Sequence, residues 1–289
     1  MVSLSRLGWV DLAEIALPAC GQKDVSKALD AEAEKGHPAV VELLLRRSDP
    51  KAFDSWALSM AAQNGHLAVV ELLLPHWDPK AKSSQALISA VQNGHVAVVE
   101  LLLPCSDPKA RDSWALSAAA KSGNLAVVEL LLPHSDPKAK GSLALSLAAK
   151  YGHLAVAEML LPRSDAKACR SQALSWAAQY GHLAVVELLL PHADPKADDS
   201  SALSWAAENG HLAVVELLLP HSDGEARRLR ALAGRIEGSH PEVFEAIGRA
   251  LERNLAPSID PSLADLGSKV ASRRSARSLG QAGPTIVRA

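Results

Sequence analysis

Aromatic side chains make up only 3% of the 289 residues: six tryptophans, two tyrosines and two phenylalanines. Ala, Leu and Val supply most of a 48% hydrophobic content. That balance disfavours a β-sandwich and points to helices packed through small and unbranched side chains. Cysteine is as scarce. Cys20, Cys105 and Cys169 are odd in number and far apart, with no C-x-x-C spacing, so neither a disulfide framework nor a zinc knuckle is indicated. A reducing, cytoplasmic setting is expected. No apolar run approaches the ~18 residues that a membrane helix needs, because a glutamate interrupts every Leu/Val-rich segment. Net charge is nearly missing too: 30 basic against 32 acidic residues leave −2, so no overall field calls for a nucleic-acid or membrane partner. The sum conceals an asymmetry, since residues 224–289 hold 11 Lys/Arg against 7 Asp/Glu, net +4, leaving −6 for residues 1–223. The LPAC at 17–20 resembles a lipoprotein cleavage box, but Asp11 and Glu14 interrupt the segment before it. EIALPAC also parallels ELLLPHW at 71–77, so it reads as a worn half repeat.

What the chain has in abundance is itself. A Gly-His or Gly-Asn pair recurs at Gly36, Gly65, Gly94, Gly123, Gly152, Gly181 and Gly210, always 29 residues on. One further step reaches Ser239-His240-Pro241. A fixed period in this range is the signature of a solenoid and decides the fold before any local propensity does. Within one unit, Ser55 is placed to cap a helix starting WALSMAAQ, and Asn64-Gly65 offers the left-handed residue that ends it. HLAVVELLL forms a second helix, stopped by Pro75, and Asp78-Pro79 marks the returning turn.

These residues carry a resemblance. The A-A-x-x-G-H-L-x-V-V-x-L-L-L run followed by D-P-x-A is similar to ankyrin repeats over about residues 9–254. The family's T-P-L-H is replaced by Trp56-Ala57-Leu58-Ser59 and its equivalents, and each unit has 29 residues rather than 33. The missing residues fall mostly in the β-hairpin finger. The expected fold is therefore all-α: an ankyrin-like α-solenoid of stacked helix-turn-helix repeats with short or absent fingers. Its expected parts are a half repeat over 1–22, seven repeats over 23–223, a cap repeat over 224–254 and a disordered tail over 255–289.

All eleven histidines occupy two columns of the repeat, one after the turn glycine and one after the helix-ending proline. Equivalent residues in stacked helices stand about 8–10 Å apart, whereas metal ligands converge at ~2 Å from one ion. The columns therefore read as architecture, and no metal or other cofactor is expected. His134-Ser135-Asp136 holds the residue types of a hydrolase triad, but sequence neighbours do not supply its geometry, and no enzyme activity is expected.

Function is sought in the columns that vary. Positions equivalent to 57, 58, 61 and 62 are Ala, Leu, Ala and Ala in nearly every unit, whereas 56, 60, 63 and 64 vary and share the opposite face. Six of the ten aromatics fall in these variable columns. The candidate partner-binding residues are Phe53, Trp56, Lys82, Gln85, Arg111, Trp114, Lys121, Lys140, Lys150, Tyr151, Trp176, Tyr180 and Trp205. Aromatic and basic side chains on a constant aliphatic scaffold have the composition of a protein-binding surface, although tryptophans that fill gaps between successive helices would produce a similar pattern. The resemblance implies a monomeric, non-enzymatic scaffold that binds a protein or peptide through its first helices. The alternative is nucleic-acid binding through the basic middle, Lys82, Arg111, Lys121, Lys140, Lys150 and Arg170. The acidic flanks, Asp30, Glu32 and Glu34 before and Asp198, Asp199 and Glu208 after, oppose it.

Overall fold

A computed structural model of the chain describes residues 22–46, 56–76, 81–221 and 226–255. The expected half repeat and tail lie outside these residues but for Gln22 and Leu255, as do Phe53, Ser55, Asp78 and Pro79. The described residues form sixteen α-helices and no strand. They are α1 (Gln22–Lys35), α2 (Pro38–Leu45), α3 (Trp56–Gln63), α4 (Leu67–Leu73), α5 (Ala81–Gln92), α6 (Val96–Leu102), α7 (Ala110–Ser122) and α8 (Leu125–Leu131). Then follow α9 (Ala139–Lys150), α10 (Leu154–Leu160), α11 (Ala168–Gln179), α12 (Leu183–Leu189), α13 (Ala197–Glu208), α14 (Leu212–Leu218), α15 (Ala226–Ile236) and α16 (Pro241–Leu255).

The chain forms two compact units, one of Met1–Ala148 with His153–Asp165 and the other of Ala149–Gly152 with Ala166–Ala289. In the first, α1, α3, α5 and α7 stack in order, and α2, α4, α6, α8 and α10 form a second row. In the second, α11, α13 and α15 make one row and α12, α14 and α16 the other. Short side chains allow this close stacking. Ala57, Leu58, Ala61 and Ala62 are buried, as are their equivalents in each later full repeat, and Val69, Val70 and Leu73 bury the inner face of the second helix.

Each hairpin from α1–α2 to α13–α14 turns on a left-handed glycine, and Ser239 stands at that place in the last. Gly65 has φ +73°, and its N–H and that of His66 bond back to Ala62 and Ala61 in a Schellman arrangement. The histidine that follows does not cap its own helix. Its ring instead reaches the preceding repeat, where His66 Nε2 donates to the Glu34 carbonyl at 2.9 Å. His95, His153, His182, His211 and His240 bond in the same way to carbonyls 32 residues back. Each ring fills the space beside the preceding repeat's left-handed glycine, so a methyl group at Gly65 would lie 2.5 Å from the His95 ring. Asn124 replaces histidine once and accepts from Val127 N–H as a helix cap.

The serine at the start of the first helix behaves differently from expectation. Ser113, Ser142 and Ser171 are the last of three consecutive left-handed residues and are buried. Their hydroxyls do not cap the following helix. Ser84, Ser113, Ser142 and Ser171 each accept, at 2.8 Å, the N–H of an aspartate 23 residues later. The left-handed stretch costs about 1–2 kcal/mol for each non-glycine residue, and this bond ties it to the next loop. That loop is only a turn, in which Asp107, Asp136 and Asp194 accept from the lysine N–H two residues on.

In α15 the column equivalence breaks. Arg235 stands at the alanine column by spacing, but the buried face is Leu229, Leu232, Ala233 and Ile236. Those residues follow i, i+3, i+4, i+7 spacing, which turns Arg235 out to pair with Glu208 at 2.6 Å.

Glycine replacements separate the hairpin glycines from ordinary ones. Gly65→Ala forces a left-handed alanine against the His95 ring and is expected to cost about 2 kcal/mol or more. Gly234→Ala, in α15 with no atom near its missing Cβ, is expected to stabilise by about 0.5 kcal/mol. Urea unfolding followed by circular dichroism measures both.

Candidate functional site

The variable columns form a surface in each unit. In the first unit Trp56 opens α3 and is 52% exposed. On α5, Gln85 is half-buried, and its amide donates to Ser89 Oγ at 3.3 Å. Trp114 on α7 is half-buried, while Arg111 and Lys121 are exposed. Lys140 pairs with Asp112 at 3.5 Å. Lys82 lies on α5, but its side chain, like Phe53, is outside the described residues. The column of Met60 is core at Ser89 and Ala118, which are too short to reach past the neighbouring helices.

The second unit gathers more. Tyr151, Tyr180 and Trp205 are 43%, 46% and 44% exposed, and Trp176 is half-buried. The Lys150 ammonium lies 5.1 Å from the centre of the Trp176 ring, 5.5 Å from Tyr180 and 5.8 Å from Tyr151. These distances are within cation–π range. The cluster is braced from beneath: His182 bonds to the Lys150 carbonyl at 3.0 Å and stacks on Tyr180, ring centres 6.4 Å apart. Beside the following loop, Arg170 pairs with Asp198 at 2.8 Å. The open hollow of about 560 Å³ there is walled by charged residues, including Lys167, Asp194 and Lys196.

Glu32, in the acidic flank before the basic middle, is engaged within its own repeat. Glu32 accepts from Lys35 at 2.8 Å and lies 2.6 Å from His37 Nδ1. Burial pushes the Glu32 carboxyl up, but the Lys35 and His37 contacts outweigh it and hold it below its ordinary value. Burial alone raises Asp30. The triad-like His134-Ser135-Asp136 is not assembled. Asp136 accepts from Lys138 N–H, the Ser135 hydroxyl is buried without a hydrogen-bond partner, and His134 is exposed.

Three copies of the family model for ankyrin repeats match residues 29–112, 107–170 and 162–228, more than half of the chain. The chain belongs to the ankyrin-repeat family. No curated protein gives a match to it. Ankyrin repeats are generally protein–protein interaction modules and typically non-enzymatic, and the varied columns here lie on the first helix of each ankyrin hairpin and at the turn that ends it. No helix among the described residues is long and apolar enough to cross a membrane.

Reading down columns finds the aromatic positions but misses the Lys150 cluster. That cluster joins one repeat's last helical position to aromatics of its own turn and of the next ankyrin repeat. The signal lay across neighbouring repeats, where Lys150-Tyr151 is followed 29 residues later by Gln179-Tyr180.

The Glu32 contacts set a pH dependence. A depressed carboxyl contributes stability above its unfolded value and loses it as pH falls through the folded value. Glu32→Gln should therefore destabilise at neutral pH, and the gap from the unsubstituted protein should close in acid. Urea midpoints across the acid range test this.

Proposed function

We propose that this ankyrin-repeat protein is a non-enzymatic scaffold that binds a protein or peptide partner through the variable, aromatic face of its first helices, in the cytoplasm and as a monomer. One observation carries the reading. The four exposed large hydrophobic side chains among the described residues, Trp56, Tyr151, Tyr180 and Trp205, all fall in the columns that vary from repeat to repeat. Rings cost free energy when left in water, and a core built on Ala and Leu does not need them at the surface. Aromatic anchors of this kind dominate protein-binding energetics. Nucleic-acid binding through the basic middle is disfavoured by the pairing of Lys140 and Arg170 with carboxylates, because a polyanion would have to break those pairs.

Partners captured from a native lysate should be lost from a Trp56→Ala, Tyr151→Ala, Trp205→Ala variant. They should be kept by Glu71→Ala, Glu100→Ala, Glu129→Ala on the exposed side of the second helices. Each single aromatic truncation should weaken an isolated partner by about 2 kcal/mol with shallow salt dependence. Retention by the aromatic variant would contradict the proposal. So would tight binding of single-stranded oligonucleotides whose salt slope falls by about one for each basic residue neutralised.

A further inference from the structure

We infer that Lys150, with Trp176, Tyr151 and Tyr180 around it, is an anchor for a carboxylate side chain in an extended segment of the partner. The partner carries an apolar residue about three positions from its Asp or Glu. This inference rests on the protein-binding reading and names the chemistry of the partner at one place on that surface.

Lys150 differs from Lys140 and Arg170 of the basic middle. Lys140 and Arg170 are paired with Asp112 and Asp198, and Arg235 of the last first helix is paired with Glu208. No carboxylate among the described residues pairs with Lys150; three aromatic rings surround its ammonium instead. Ring faces attract the charge but are poor hydrogen-bond acceptors, and an ammonium has three N–H donors to satisfy. A carboxylate arriving from outside supplies the missing acceptor, and the flanking rings shield the pair from water, which strengthens it. The anchor is held in place, because His182 fixes the Lys150 backbone and the Tyr180 ring together. A site organised before binding loses less side-chain freedom on contact.

The second element of the partner follows from spacing. Trp205 stands one repeat beyond Trp176, in the same column, and is 44% exposed. Successive first helices lie about 10 Å apart, which an extended peptide covers in about three residues. An acidic residue over Lys150 therefore places an apolar one over Trp205. The single charge of Lys150 suits a single carboxylate. Asp198, Asp199 and Glu208, on the helix that carries Trp205, oppose the repeated charge of a nucleic acid.

A display library of random peptides, each roughly a dozen residues long, selected on the full chain tests this. Enriched sequences should contain Asp or Glu with an apolar residue about three positions away. In titrations of the best peptide, changing its acid to the amide should weaken binding by about 10-fold or more in the unsubstituted protein. The same change should matter less than about twofold in Lys150→Met, while Lys150→Arg should keep most of the affinity. If Lys150→Met fails to fold, as judged by its melting curve, the peptide substitution and Lys150→Arg carry the test. Peptides that bind without an acid, or whose acid is still required by Lys150→Met, overturn the inference and leave the broader reading intact. No enriched peptide at all counts against both. Oligothymidylate binding more tightly than any peptide at physiological salt, through Lys150, overturns it in favour of nucleic acid.

Discussion

A histidine ring laid over a left-handed glycine of the preceding repeat is the contact on which the rest of this structure depends. It does two things at once. The ring occupies space that only a residue without Cβ leaves open, and its Nε2 satisfies a carbonyl at the end of the preceding first helix. Helix ends leave such carbonyls without an intrahelical partner, so the bond removes a cost as well as adding a contact. Because the donor comes from the next repeat, the spacing of successive hairpins is set at the same place where each hairpin turns. The serine hydroxyl that accepts from the next loop repeats this logic at the other end of the first helix.

With register held at both ends, the first helix has little left to decide. Its alanines permit close approach of neighbours, and its outer positions, Ser89 and Ala118 aside, are only partly buried. That division lets a short, repetitive chain present a different side chain in each hairpin on an unchanging frame. Trp56, Tyr151, Tyr180 and Trp205 stand where that freedom exists. Of the seven aromatics among the described residues, four are exposed and Phe244 alone is buried.

Much of the fold was legible because a solenoid repeats its instructions. The period, the hairpin glycine, the alanine columns and the absence of a finger followed from Gly65, Ala57, Ala61 and the 29-residue count. What was not legible came from contacts that cross repeats. Ser113 looks like a helix cap by type and position, yet its hydroxyl serves the following loop, a partner that single-unit reading does not reach. Arg235 looks like a charge forced into the alanine column, but Leu229, Ala233 and Ile236 supply another face and the helix presents it. The aromatic columns were visible at the candidate site. The enclosure of Lys150 was not, because it needs three rings from two successive repeats.

His66, His95, His153, His182, His211 and His240 each link their own repeat to the one before by donating from Nε2. A carbonyl oxygen only accepts, so the proton must sit on that nitrogen. Long-range proton–nitrogen correlation spectra of the imidazole rings report its position directly. The account predicts protonated Nε2 in His66, His95, His153, His182, His211 and His240 of the folded protein. Protons on Nδ1 of these rings, with Nε2 bare, would contradict it.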